Sequence, residues 1–175
     1  KSSQQAVANQ VAGFETLGIA ATDVADMMNT FSKTMGTSAN QSIALTRNIA
    51  MMGSTIGISS QKMIKNFQNA NKTLAVYGKG SLKIFTNLSA AAKAAGVEME
   101  TLLGIAGKFD TFEDAADSVG KLNAILGSQM SATKMLMMTE DERIETLIMQ
   151  INASGQSFSQ MDRFKQKAIA NAAGI

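Results

Sequence analysis

Apolar residues recur along the chain at intervals of three and four positions, the spacing that places side chains on one face of an α-helix. The stretch FDTFEDAADSVGKLNAILG (109–127) shows this pattern between a start signal and a stop signal. Thr111 can cap the start, and Gly127 allows the left-handed turn that ends many helices. We therefore expect a helix over 112–126 that buries its apolar stripe and leaves its acidic residues in solvent. That stripe consists of Phe112, Ala115, Val119, Leu122 and Leu126.

The same spacing recurs in other segments, and β-branched residues never form the alternating runs that strands require. Further stripes are Val24, Met28, Phe31 and Met35; Leu45, Ile49, Met52 and Ile56; Met63, Phe67, Ala70, Leu74 and Tyr77; and Ile144, Leu147, Ile148 and Ile151. The predicted helices are 4–18, 22–35, 38–53, 59–77, 81–95, 98–108, 112–126, 129–137, 140–153 and 158–172. The predicted fold class is all-α, a multi-helix array of short antiparallel helical hairpins separated by glycine turns.

Glycines separate the predicted helices, and capping residues follow most of them. The glycines are Gly36, Gly57, Gly78, Gly80, Gly96, Gly127, Gly155 and Gly174. Three pairs have the spacing of a capping box: Ser38 with Gln41, Thr139 with Glu142, and Ser157 with Gln160. Ser59 can cap a further helix, with Ile58 and Met63 as a hydrophobic staple. The loop YGKGS (77–81) lacks the spacing of a phosphate-binding loop and is predicted to be a turn.

Composition limits the class of protein. The chain has 175 residues, no proline, and only 17% charged residues. Because proline interrupts helices, its absence agrees with an all-helical chain. The weakly charged surface suits association with copies or other chains, although an ordinary low-charge bundle explains it equally well. We expect residues 1–175 to form a single helical module, and the start at Lys1 indicates a fragment of a longer chain.

Charge is distributed in two opposed blocks. Residues 27–97 contain eight basic residues and no acidic one, whereas residues 98–145 have a net charge of −6. The sub-blocks are therefore 1–97 (basic) and 98–175 (acidic, then mixed). Such blocks can pair within the chain, between copies, or with separate partners. The lysines lack interleaved aromatic residues, so weak, non-specific contact with DNA fits them better than specific recognition.

Few residues can carry chemistry, since the chain has no Cys and no His. Glu98 and Glu100 lie two positions apart and point to different helix faces, while residues 140–142 fit a first helical turn. Asp117 and Lys121 have the spacing of a surface ion pair. We predict no catalytic, cofactor-binding or metal-binding residue, and a protein that is not an enzyme.

Two further features of composition concern packing and membranes. The chain has 13 methionines, with pairs at 27–28, 51–52 and 137–138. Methionine fills core gaps, with adaptable partner surfaces as the alternative role. No segment contains 18 consecutive apolar residues, so we expect no membrane span.

The residues as a set resemble bacteriophage tail tape measure proteins, of the type found in contractile-tailed phages. The similarity lies in LSAAAKAAGVEMETLLGIAGKFDTFEDAADSVGKLNAILG (88–127) and TSANQSIALTRNIAMMGSTIGISSQKM (37–63). Both show successive helices, a Gly-Val or Gly-Ile step before a cap, and in the first case an FDTFEDA start leading to an LG stop. The segment MMTEDERIETLIMQINASGQSFSQMDRFKQKAIANAAGI (137–175) is similar in style.

The resemblance implies a structural virion protein that sets tail length, scaffolds tail tube assembly and assists genome ejection. It implies contacts with the tail tube protein and baseplate hub proteins, a homo-oligomer of few copies per tail, and no small-molecule substrate or cofactor. The implied location is the virion, in the tail tube lumen or baseplate, after assembly in the host cytoplasm.

One feature departs from a molecular ruler. A ruler requires long helices with a fixed rise, whereas glycine turns interrupt this chain about every 20 residues. We therefore expect a folded module of a tape measure protein rather than its extended rod. The alternatives are a non-enzymatic bacterial helical scaffold, a signalling or secretion-system module, and a membrane-active helical protein.

Overall fold

A computed structural model describes residue 9, residues 12–155 and residues 160–173. Within this part the secondary structure is helical and contains no strand, which confirms the all-α prediction. The α-helices described are α1 (Ala21–Met35), α2 (Ala39–Ile56), α3 (Ser60–Leu74), α4 (Ser81–Ala95), α5 (Met99–Gly107), α6 (Phe112–Leu126), α7 (Ala132–Met137), α8 (Glu140–Ala153) and α9 (Arg163–Ala173). A 3-10 segment, Ala75–Gly80, lies between α3 and α4.

Several helix boundaries agree with the sequence prediction because local capping chemistry sets them. At α2, the Ser38 N–H donates to Gln41 Oε1 at 2.9 Å while the Gln41 N–H donates to Ser38 Oγ at 3.4 Å, the predicted capping box. The box at Thr139 and Glu142 also forms, and Ser59 caps α3 as predicted. Residue 157, and with it the third predicted box, lies outside the described residues.

Three other boundaries correct the prediction. Helix α2 continues through Gly53 to Ile56, because the first left-handed residue is Gly57, with φ 72°. Helix α3 ends at Leu74, not at residue 77, because the chain tightens into the 3-10 segment that leads to Gly78 (φ 53°, ψ −121°). The predicted helix 4–18 lies partly outside the described residues; residue 9 and residues 12–15 are helical, and a turn at residues 16–18 ends the helix earlier than predicted.

Helices α7 and α9 begin at later residues than predicted, because side-chain hydrogen bonds hold the preceding residues in non-helical conformations. Asn123 Oδ1 accepts from Ser128 Oγ at 2.7 Å and from the Met130 N–H at 2.8 Å, which holds the connection after α6 in a non-helical loop. Helix α9 begins later than predicted because Asp162 Oδ1 accepts the N–H groups of the residues two and three positions on, at 2.9 and 3.0 Å.

Contacts divide the chain into two compact units, Lys1–Thr86 and Asn87–Ile175, with the division inside α4. The change from basic to acidic sequence, at 97/98, falls after this division. Each unit has its own core, described below.

Aromatic rings form the centre of the first unit. The ring centroid of Phe67 lies 5.2 Å from that of Phe31 and 5.0 Å from that of Phe85, the second pair in an edge-to-face arrangement. Arg47 lies over the ring of Phe14, 5.7 Å from its centroid. Around the rings pack buried aliphatic side chains from α1 to α4, among them Val24, Met27, Ile49, Met63 and Leu74.

Within the described part of the second unit, the core is mostly aliphatic and contains one aromatic ring, that of Phe109. The predicted stripe of α6 is confirmed at its centre, where Val119 and Leu122 are buried. Phe112 was predicted to be buried but is 62% exposed. It occupies the first position of α6, and helical side chains lean toward the N-terminus, so its ring projects past the end of the helix. Ile148, also predicted to be in the core, is 40% exposed.

Candidate functional site

The most completely built polar site in the described residues surrounds Arg143, on α8 in the second unit. Its side chain is 5% exposed. Nη1 donates to the carbonyl of Ala106 at 2.9 Å and to Asp110 Oδ1 at 2.6 Å. Nε donates to the carbonyl of Met135 at 2.9 Å, and Nη2 donates to the carbonyl of Leu136 at 3.0 Å.

The acceptors explain why a charge is tolerated in the interior. Ala106 lies in the last turn of α5, and Met135 and Leu136 lie at the end of α7. Helix C-termini carry unpaired carbonyl groups and partial negative charge, so a cation is stabilised there. Four of the five guanidinium N–H donors are directed at these acceptors and Asp110. The arrangement joins two helix ends to α8 and makes Arg143 a structural anchor.

Sequence reasoning missed this residue. Arg143 and Glu140 lie on the same face of α8 as Ile144 and Leu147, and all four are buried. The sequence therefore contained an indication of this site, because two charged residues share the helical spacing of an apolar stripe. One carboxylate oxygen of Glu140, Oε2, has no hydrogen-bond partner among the described residues.

The other acidic residues singled out from the sequence remain apart. Glu98 precedes α5 and Glu100 lies in its first turn, and both are exposed. Lys121 Nζ lies 2.6 Å from Asp117 Oδ2, which confirms the predicted ion pair on the exposed side of α6. Over the described ranges, no group of three or more His, Cys, Asp and Glu residues could hold a metal ion. No described helix is long and apolar enough to cross a membrane.

A groove of about 330 Å³ lies between the second half of α4 and α8. Its apolar surface comes from Leu88, Ala90, Ala91 and Ile148, and its polar edge comes from Asn87, Asp141 and Glu145. Asn87 Nδ2 donates to Asp141 Oδ2 at 2.6 Å across the two helices. The groove thus combines an apolar surface with an acidic edge.

Helix α9 carries the most exposed large apolar side chain in the described part of the chain, Phe164, at 84%. Arg163 and Lys167 lie on the same helix face and are also exposed. The opposite face buries Ile169 and Ala172, where α9 packs against α6. The outer face of α9 is therefore aromatic and basic.

Three of the eight basic residues of the basic block lie on α3 in the first unit. Lys62, Lys65 and Lys72 are exposed and share the helix face opposite the buried residues Met63 and Phe67. Lys79 and Lys83, near the start of α4, are exposed as well. The methionine pairs do not behave uniformly, since Met27 is buried whereas Met51 and Met137 are 58% and 82% exposed.

No protein-family model matches the chain, and no curated protein or solved structure gives a significant match.

Proposed function

We propose that the chain is a structural virion protein, a folded module of a phage tail tape measure protein. In this role it belongs to the protein that sets tail length, scaffolds assembly of the tail tube and assists genome ejection. Its partners are the tail tube protein, the baseplate hub proteins and further copies of itself, with weak, non-specific contact to passing DNA. It acts without catalysis, as a packing element.

The observation that carries the proposal is the helix–glycine–cap pattern on which the resemblance rests. In FDTFEDAADSVGKLNAILG, the Asp114 N–H donates to Thr111 Oγ1 at 3.2 Å, and Gly127 ends the helix with φ 67°. Left-handed glycines also end α1, at Gly36, and α2, at Gly57. The glycines and capping residues on which the resemblance rests thus begin and end helices in the structure. This supports the interpretation of residues 37–63 and 88–127 as a series of short packed helices.

The chemistry of the polar groups also supports a structural role. Arg143, the buried cation, is bonded to the ends of α5 and α7. The Asp117–Lys121 pair lies on an exposed helix face, where such a pair contributes a few tenths of a kcal/mol. These groups stabilise helices and their ends, which is the chemistry of a module that packs.

The proposal is tested by locating the chain in phage particles. An epitope tag is inserted into the exposed connection between α4 and α5, within residues 96–98, in the gene that encodes the chain. Purified virions are then dissociated into heads and tails, and the tag is quantified in each fraction. We expect the tag in the tail fraction, in a few copies per particle. A tag that remains in the cytosol of the producing cell and is absent from purified particles would favour a bacterial helical scaffold instead.

A further inference from the structure

The outer face of α9 carries an unbalanced combination of side chains. Phe164 is 84% exposed, exposed Lys167 lies three positions after it on the same face, and exposed Arg163 lies on the far side of Lys167. Arg163 and Lys167 are four positions apart, so two like charges are neighbours on this helix. Asp162 is engaged in capping, since its Oδ1 accepts the backbone N–H groups of Phe164 and Lys165. This cap fixes the position at which the ring leaves the helix.

The groove between α4 and α8 has the complementary character. Asp141 and Glu145 are also four positions apart, and they place two negative charges at its edge. Ala90, Ala91 and Ile148 provide its accessible apolar surface, while Leu88 lines it but is fully buried. The groove is open to solvent on one side, and its volume of about 330 Å³ exceeds that of an enclosed cavity of about 150 Å³ that binds benzene, so it has room for a phenyl ring.

We propose that Phe164 of one copy of this chain binds in the α4–α8 groove of a second copy, with Arg163 and Lys167 facing Asp141 and Glu145. The copy's own ring is exposed to solvent, so the groove of the same chain does not hold it. Charge complementarity selects the occupant: an apolar groove with an acidic edge favours an aromatic residue that has basic residues beside it. The proposed function includes further copies of the chain as partners, and this contact names the two patches through which they meet. It is tested with the chain alone and so does not depend on the phage assignment.

The contact is heterologous, because it joins two different patches of the same chain. Each copy that offers its α9 face still has a free groove, and each copy that offers its groove still has a free α9 face. Such contacts build rings when the rotation closes and open arrays when it does not. The opposed charge blocks suggest a second mode of association, in which the lysine-rich face of α3 pairs with acidic segments. The contact proposed here uses different residues, so the two modes can be distinguished by mutation.

Sedimentation velocity of the 175-residue chain, measured over a range of concentrations and salt, tests the proposal. We expect reversible association that weakens as added salt shortens the Debye length from about 10 Å at 0.1 M to about 3 Å at 1 M. Phe164→Ala should weaken association by about 30-fold, the effect of removing an interface hot-spot aromatic. Because the ring is exposed, this substitution leaves the fold intact, and unchanged circular dichroism would verify that.

Charge-reversal variants identify the two patches. Lys167→Glu and Glu145→Lys should each reduce self-association, and a mixture of the two variants should associate again, because each variant supplies the patch that the other lacks. Lys65→Glu, on the exposed face of α3, is the matched control and should associate like the parent chain.

Three results would overturn the proposal. The first is a monomer at every concentration, and the second is a Phe164→Ala variant that associates like the parent chain. The third is a Lys65→Glu variant that loses association while the Lys167→Glu variant associates like the parent chain. That result would assign self-association to the lysine-rich face of α3.

Discussion

Arg143 places a permanent positive charge inside the second unit, where three backbone carbonyls and one carboxylate accept its hydrogen bonds. Two of those carbonyls belong to the end of α7, a helix of only six residues. A helix of that length is not stable by itself, so its ordering depends on tertiary contacts. One side chain therefore connects a marginal helix to its neighbours.

Replacing Arg143 should be strongly destabilising. Arg143→Ala removes charge-assisted hydrogen bonds to buried carbonyls, and we expect the free energy of unfolding to fall by about 3–5 kcal/mol. Asp110→Asn is the control. The Asp110 side chain is 56% exposed, so losing its charge should cost at most about 1 kcal/mol. Urea unfolding followed by circular dichroism measures both, and equal effects would show that Arg143 is not an anchor.

Leu122 and Asp117 test the seam of α6 at the same scale. Leu122 is 1% exposed, so Leu122→Ala should lower the free energy of unfolding by about 2–5 kcal/mol through the cavity it creates. Asp117→Ala removes an exposed ion pair and should cost a few tenths of a kcal/mol. The two variants are compared in one denaturation series, and similar costs would mean that the buried face of α6 is assigned incorrectly.

At the scale of elements, α2 and α3 show how a glycine sets the distance between helices. A Cβ on Gly53 would lie 2.5 Å from the carbonyl oxygen of Ile58 and 3.2 Å from Cγ of Met63. Ser60 Oγ donates to the carbonyl of Ala50 at 3.0 Å across the same connection. The close approach of α3 to α2 therefore requires a residue without a side chain at position 53.

Two glycine-to-alanine substitutions should change the free energy of unfolding in opposite directions. Gly53→Ala should lower the free energy of unfolding by about 1–3 kcal/mol, because the new methyl group overlaps a backbone oxygen that cannot move freely. Gly120→Ala, inside α6, meets nothing within 4 Å and should raise it by about 0.5–1 kcal/mol through helix propensity. Thermal unfolding distinguishes the two, and stabilisation by Gly53→Ala would contradict the close approach.

The elements also show which features a sequence can predict. Helices α6 and α8 were predicted with the observed bounds, since a cap, an apolar stripe and a glycine or turn lie within each segment. The start of α7 was predicted too early. The loop of residues 127–131 is held by Asn123, whose Oδ1 accepts from the Met130 N–H seven positions later. Arg143 was missed for a related reason, since its bond to Ala106 spans 37 residues. Local chemistry is readable in sequence, whereas contacts between distant segments are not.

For the whole molecule, helix length bears on the proposed role. Helix α2 has 18 residues and rises about 27 Å, and the chain turns at left-handed glycines such as Gly36, Gly57 and Gly127. Fully opened into one helix, 175 residues would rise about 260 Å. The longest described helix, α2, rises only about a tenth of that length. We therefore propose that the segment is a folded module that lies outside the measured span of the tail.

The length of mutant phage tails tests this central claim most directly. Residues 21–126 are deleted in frame from the gene that encodes the chain, and tails are measured in electron micrographs. We predict a tail length close to that of the parent phage, together with impaired tail assembly or genome delivery. Shortening by about 1.5 Å for each deleted residue would contradict the account and show that the segment belongs to the ruler. Tails of normal length with full infectivity would contradict a tape measure role altogether.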